Sequence, residues 1–271
     1  MTPAGDRPPP TLKRLGQHFL TDRRILAQIV DATGIAAGET IVEIGPGRGA
    51  LTDLLVERAS RLVMIELDRA LAARLRERYA ALPHVEIVEG DVLDVPLASL
   101  VGDAPWRLVG NVPYYITTPI LFHALARPRP TCAVFLVQRE VAERACAAAG
   151  TDGYGALSVN LQVLASPSMR GIVKPGAFNP PPKVDSAILR VDPLADALVT
   201  PDEEAAFSTF VVATFGQRRK QLRRVLRSVR SLDPHVAERA LASVGIAPEA
   251  RPENLEPSQF VSLFRALASP S

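Results

Sequence analysis

Thr40-Ile41-Val42-Glu43-Ile44-Gly45-Pro46-Gly47-Arg48-Gly49-Ala50-Leu51-Thr52-Asp53-Leu54-Leu55-Val56 sets the architecture of this chain. A short apolar run meets a glycine-rich turn, and apolar residues at helical spacing follow at once, which predicts strand, tight turn and helix. Glycines at such a junction permit positive φ and let the backbone approach a nucleotide-like ligand closely. The rhythm continues outward. Helical Ile25 to Ala32 precedes strand 40–44, and helix 50–58, strand 62–66, helix 69–80, strand 85–89, strand 106–110, helix 118–126 and strand 132–138 follow. Alternation of this kind predicts an α/β fold with a doubly wound, Rossmann-like sheet and ligands at the carboxyl ends of its strands. After helix 139–148, Gly150-Thr151-Asp152-Gly153 reads as a loop, and helix 156–164 and two late strands near 168–174 and 184–191 complete the domain. A polar, proline-marked linker from Asp192-Pro193 to Pro201 leads to helices near 202–214, 217–229, 234–244 and 257–267. The expected organisation is a tail over 1–10, an α/β domain over 11–195 and a small C-terminal α-helical domain over 200–271.

The strand ends carry the chemistry. Gly45-x-Gly47-x-x-Ala50 also fits the relaxed dinucleotide fingerprint, and Glu66, about twenty residues on, could bind ribose hydroxyls of either kind of ligand. These features alone do not choose the cofactor. The next strand, Val85-Glu86-Ile87-Val88, leads through Glu89-Gly90 to Asp91, a third acidic group placed to meet an adenine amine. Trp106-Arg107-Leu108-Val109-Gly110 then ends in Asn111-Val112-Pro113-Tyr114. An amino group conjugated to a purine ring is a poor nucleophile. The Asn111 side-chain carbonyl and the Pro113 main-chain carbonyl can both accept hydrogen bonds from one exocyclic NH2 and draw its lone pair out of conjugation. Tyr114 offers an aromatic face for a base removed from its stack. Asn and Pro are also ordinary turn residues, so this motif gains its meaning from the strand ends before it. In order, these segments resemble the successive motifs of class I S-adenosylmethionine-dependent methyltransferases, and that resemblance implies an antiparallel closure of the sheet.

Further segments narrow the resemblance. Leu15-Gly16-Gln17-His18-Phe19-Leu20, Gln138-Arg139-Glu140-Val141-Ala142-Glu143-Arg144, Tyr154-Gly155-Ala156-Leu157-Ser158 and Phe178-Asn179-Pro180-Pro181-Pro182-Lys183-Val184-Asp185-Ser186 resemble blocks of the ribosomal RNA adenine dimethylase family. Phe215-Gly216-Gln217-Arg218-Arg219-Lys220-Gln221-Leu222-Arg223 resembles its bacterial small-subunit branch. The resemblance implies dimethylation of two adjacent adenosines near the 3′ end of small-subunit (16S) rRNA, a role in subunit biogenesis, and S-adenosylmethionine as cofactor. It implies that Gly45 and nearby main chain hold the methionine portion, Glu66 the ribose, Asp91 the adenine, and that His18 and Leu20 close over the site. Asn111 belongs to both ligands, and Tyr114 and Phe178 sandwich the target base. Many relatives have Asn where this chain has His18, which could add pH dependence. Two other activities stay open: an antibiotic-resistance methylase of large-subunit rRNA, and a non-catalytic ribosome-assembly factor.

Composition agrees. The chain has 271 residues, 47% hydrophobic, enough for one full domain and a small second one. Its net charge of +2 announces no RNA-binding protein, but the distribution is uneven. No acidic residue occurs between Ala205 and Leu232, where Arg218, Arg219, Lys220, Arg223, Arg224, Arg227 and Arg230 fall. On one helix they make a basic ridge, read with the family resemblance as phosphate-binding, while Phe215, Leu222, Val225, Leu226 and Val229 pack inward. Lys183 could reach another phosphate, and Lys13, Arg14, Arg23 and Arg24 form a second basic cluster. Cys132 and Cys146 lack CxxC spacing and read as reduced thiols, and the four histidines show no metal-ligand spacing, so no metal is expected. Trp106 reads as core, and Tyr154 as packing or rim. No apolar stretch is long enough for a membrane span, and the first residues lack a signal-peptide core. A cytoplasmic monomer whose partner is the small ribosomal subunit is expected.

Overall fold

The structure, a computed structural model, describes residues 18–36, 38–102, 104–230 and 233–268. The proposed tail, Lys13, Arg14 and Gln17 lie outside the described residues, as does the side chain of Arg230. In chain order the elements are β1 (Phe19–Leu20), α1 (Arg23–Thr33), β2 (Thr40–Ile44), α2 (Thr52–Leu55), β3 (Arg61–Glu66), α3 (Arg69–Arg78), β4 (Val85–Glu89), α4 (Leu97–Val101), β5 (Trp106–Asn111), α5 (Thr117–Ala124), β6 (Cys132–Gln138), α6 (Arg139–Cys146), α7 (Ala156–Gln162), β7 (Ala165–Val173), β8 (Phe178–Asn179) and β9 (Ser186–Pro193). The chain ends with α8 (Pro201–Phe215), α9 (Leu222–Arg230), α10 (Pro234–Ser243) and α11 (Pro257–Ala268).

Seven strands lie in the order β4-β3-β2-β5-β6-β9-β7. The pairs from β4 to β6 are parallel, and β9 runs antiparallel to β6. The central strands are buried on both faces, as a parallel sheet covered by helices requires: Ile41, Val42, Leu62, Val63, Leu108, Val109 and the run Cys132–Val137 are all buried. Trp106 joins this core, and burial pushes the Cys132 thiol up to about 11. Strand order reverses between β2 and β5. That switch point is where an open α/β sheet leaves a crevice at its carboxyl edge.

Local chemistry fixes the helix ends. The Asp22 carboxylate accepts from the amides of Arg24 and Ile25 at the start of α1, and Asp68 does the same for Ala70 and Leu71 in α3. At the far end of α1 two arginines donate to its last carbonyls, Arg107 to Thr33 O and Arg190 to Ala32 O, each at 2.6 Å. Arg107 also forks onto Glu39 at 2.7 and 3.0 Å, which holds that carboxylate below its usual range.

The chain forms two compact units, one running to Ala142 and resuming over Ser168–Asp192, the other comprising Glu143–Pro167 and Pro193–Ser271. The second unit is larger than the helical domain expected over 200–271, because segment 143–167 packs with the C-terminal helices. Within it the Tyr154 hydroxyl donates to Leu255 O at 2.6 Å, and the Tyr154 ring meets Phe215 edge-on. Tyr154 is therefore core. The Ser158 hydroxyl donates to Arg144 O at 2.6 Å, and α7 packs on α8 and α11. The helix expected over 217–229 begins only at Leu222. The amides of Leu222 and Arg223 bond to Ala250 O and Pro248 O, so Gln217–Gln221 forms a turn that carries Arg218, Arg219 and Lys220 off the helix. Among the described residues no helix is long and apolar enough to cross a membrane.

Candidate active site

Four parallel strands deliver Gly45, Glu66, Asp91 and Asn111 to one pocket in the first unit, at the switch point. Register explains the convergence: Ile44 lies opposite Ile65 and Gly110, and Glu66 opposite Glu89, so each strand releases its polar residue at the same level. Gly45 has φ +66°, and a Cβ there would stand 3.3 Å from Asn111 O. Gly47 has φ +58°, and its Cβ would meet the Phe19 ring at 2.9 Å. Both positions require glycine.

Glu66 is 4% exposed, and its two oxygens accept from Gly47 N at 3.0 Å and Asp68 N at 2.8 Å. Burial raises its pKa against these bonds. Each oxygen keeps a lone pair for a hydroxyl donor. Asp91 stands on the same wall, its Oδ1 accepting from Leu93 N at 3.0 Å.

Asn111 Nδ2 donates to His18 O at 3.1 Å. That bond uses one N–H of the amide, and Oδ1 is the side chain's one acceptor for a ligand. The Pro113 carbonyl accepts two long bonds, from Ile116 N at 3.2 Å and from the Thr117 hydroxyl at 3.3 Å, and that hydroxyl also reaches Tyr114 O at 3.2 Å. The Tyr114 hydroxyl lies 2.6 Å from Ser186 Oγ, and its ring stacks with His18 at a centroid distance of 6.0 Å and 25° between planes. Burial raises the pKa of the Tyr114 phenol and Ser186 lowers it, burial winning. His18 is held in turn by Nδ1, which donates to Pro180 O at 2.8 Å. Asn111, Pro113, Tyr114 and His18 therefore form one linked wall.

Phe178 and Leu20 turn toward the core. Phe178 is 4% exposed, packs in the hydrophobic core and is not among the residues that line the pocket with Tyr114. Its place in β8, paired antiparallel with β1, turns it inward: Leu20 lies opposite Phe178 and Phe19 opposite Asn179. Leu20 is likewise core and lines an adjoining cavity with Gly45 and Asn111. Phe19 takes the wall position instead, with the Arg48 guanidinium 4.4 Å above its ring. Sequence reasoning also missed Tyr115 and Leu67, which line the pocket, and Glu43, which lines the adjoining cavity. Glu43 is fully buried, accepts from the Thr52 hydroxyl at 2.7 Å, and is pushed up to about 8 by burial. A lone carboxylate inside the apolar run Thr40–Ile44 was its signal.

In the second unit, Leu222, Val225 and Leu226 turn the inner face of α9 into the core while Arg224 and Arg227 are exposed. Arg219 and Lys220 are exposed on the preceding turn, Arg218 pairs with Glu253 at 3.4 Å, and Arg223 is half-buried against Gln221. Lys183, in the first unit, is exposed.

A family model for ribosomal RNA adenine dimethylase matches residues 11–269. The chain belongs to that family. Among relatives of this dimethylase, the ribosomal RNA small subunit methyltransferase A of Aromatoleum aromaticum is 45% identical over 260 residues, covering 96% of this chain and 95% of that protein. The protein of the same name from Xanthomonas oryzae pv. oryzae is 44% identical over 94% of this chain and 95% of its own length. Of solved structures, a dimethyladenosine transferase from Plasmodium falciparum superposes with a TM-score of 0.76 at 26% identity, covering 91% of this chain and 96% of that one. The 23S rRNA methyltransferase ErmE gives 0.72 at 29% identity, covering 93% and 100%. The enzyme is thus an rRNA adenine dimethyltransferase with a class I methyltransferase fold, and its methyl donor is S-adenosylmethionine. The pocket suits that donor: two glycines at positive φ where a side chain would crowd its neighbours, and two carboxylates able to accept from ribose hydroxyls and an amine.

Proposed function

We propose that this chain dimethylates two adjacent adenosines near the 3′ end of 16S rRNA at their exocyclic amines, acting in the cytoplasm as a monomer on the small ribosomal subunit during its biogenesis. The observation that carries the reading is the side chain of Asn111, which lines the pocket with one N–H donated to His18 O and Oδ1 able to accept. S-adenosylmethionine, when bound, supplies a methyl group already activated on a sulfonium. Glu66 accepts from its ribose, Asp91 from its adenine amine, and Gly45, His18 and the main chain of Leu20 enclose its methionine end.

Asn111 Oδ1 and Pro113 O each take one N–H of the target amine and point its lone pair at the methyl group. Alignment then supplies much of the acceleration, and no base must act before attack because the amine sheds its extra proton only after bonding. Tyr114, clamped by Ser186 and His18, supports the base. A singly methylated amine has one N–H left and cannot satisfy both acceptors. The Thr117 hydroxyl, which reaches both Pro113 O and Tyr114 O, can give up Pro113 O to the amine in the first transfer and return to it in the second. Arg219, Lys220, Arg223, Arg224 and Arg227 hold RNA phosphates, with Arg218 and Lys183 as further contacts.

Incubation with radiolabelled S-adenosylmethionine and immature small subunits, large subunits or naked rRNA tests this reading. Dimethyladenosine in small-subunit rRNA supports it. Label only in large-subunit rRNA would move the chain to the activity named for ErmE, and tight subunit binding without label would make it an assembly factor.

A further inference from the structure

Tyr114 and Tyr115 are neighbours in sequence and opposite in environment. Tyr114 is partly buried, with its hydroxyl on Ser186 and its ring on His18. Tyr115 is 63% exposed and lines the same pocket. The cause is the single 3₁₀ turn Tyr114–Ile116. Three residues per turn send successive side chains about 120° apart, so a Tyr114 aimed at Ser186 forces Tyr115 away from the core. Of the exposed large apolar side chains among the described residues, only Tyr115 and Leu67 line this pocket. Leu67 directly follows Glu66, on the cofactor side. Tyr115 directly follows the residues proposed to hold the target base. A large aromatic face in water at that mouth is suited to a second aromatic ring.

The proposed substrate supplies one. When one adenosine of an adjacent pair leaves its stack to enter the pocket, the base joined to it by a single phosphodiester loses a stacking partner and stays at the mouth. We propose that Tyr115 is the stacking platform for the base next to the one being methylated, so that one pocket serves two consecutive adenosines. This rests on the reading that the substrate is an adjacent pair. Stacking uses the π-face alone and ignores the exocyclic group, so the platform accepts the neighbour before or after its own dimethylation. The phenol oxygen is not needed.

The test uses immature small subunits reconstituted with rRNA in which one target adenosine is kept and its neighbour is adenine, uracil or an abasic site. Single-turnover methyl transfer is measured for the wild-type protein, Tyr115→Phe and Tyr115→Ala. The wild-type protein and Tyr115→Phe should favour the adenine neighbour over the abasic one by roughly tenfold, and Tyr115→Ala should lose most of that preference. A 2-aminopurine placed as the neighbour should be quenched on binding by the wild-type protein and Tyr115→Phe but not by Tyr115→Ala. The platform is overturned if Tyr115→Ala slows all three substrates by one common factor, or keeps the wild-type preference. Methylation by the wild-type protein with no neighbour effect overturns the platform alone. No methylation of any of these subunits overturns the adjacent-pair reading and the platform with it.

Discussion

Asn111 and His18 are 93 residues apart, yet the amide of one donates to the main-chain carbonyl of the other at 3.1 Å. This bond ties the N-terminal segment to the strand end that carries the proposed acceptor of the substrate amine.

Replacing Asn111 by alanine removes one of two acceptors and the bond to His18. Methyl transfer should fall by about 10² or more, the scale of removing one positioned catalytic hydrogen-bonding group. Affinity for small subunits should stay within about twofold, since phosphate contacts dominate binding. Single-turnover assays and gel shifts on the same protein check the separation, and an equal loss of both would refute it.

Tyr114 and Ser186 form a coupled pair at 2.6 Å. Tyr114→Phe leaves the buried Ser186 hydroxyl without this partner and should cost about 1–3 kcal/mol of stability, seen as a lower urea midpoint. Adding Ser186→Ala should recover part of the loss. Additive losses would mean that the hydroxyls do not act together.

Glu43 links stability to pH. Its carboxyl titrates near 8 in the folded protein against an ordinary 4.5. Between those values the unfolded chain has released this proton and the folded chain has kept it, so this group makes stability fall as pH rises from about 5 to about 8. Glu43→Gln keeps an acceptor for Thr52 and cannot titrate. Relative to the wild-type protein it should gain stability across that window, on the order of 3 kcal/mol by pH 8. Urea unfolding of both proteins at three pH values gives the answer, and parallel profiles would rule the linkage out.

Reversing charge at Arg219, Arg223 and Arg224 should weaken binding to small subunits and flatten its salt dependence, by roughly 0.7–0.9 in log–log slope for each phosphate no longer neutralised. Arg218, already paired with Glu253, should matter less when changed alone. Binding isotherms between low and high salt measure the slope. An unchanged slope would remove α9 from the RNA interface.

The sheet was legible because its strands are continuous apolar runs separated by helical spacing, as in Leu62–Ile65 followed by Arg69–Arg78. The polar strand ends Gly45, Glu66, Asp91 and Asn111 were legible for the same reason: each breaks such a run. Pairing of Phe19–Leu20 with Phe178–Asn179 was not, since two residues carry no periodicity and their partners are remote. That Phe178 is buried and Tyr115 exposed was not legible, because an aromatic beside a turn looks the same in sequence whether the backbone aims it inward or outward. The late start of α9 depends on carbonyls of Pro248 and Ala250, which local propensity cannot register.

The short ribbon of β1 and β8 has a consequence for synthesis. A growing chain makes Phe19–Leu20 early, but the strand that pairs with it is Phe178–Asn179. Parallel strands β2 to β6 can assemble from chain already released, whereas the front wall that carries His18 and Phe19 waits until more than half the protein has left the tunnel. The side of the pocket built on Phe19 is therefore completed late in translation, after the strand ends that carry Gly45, Glu66, Asp91 and Asn111 have all been made.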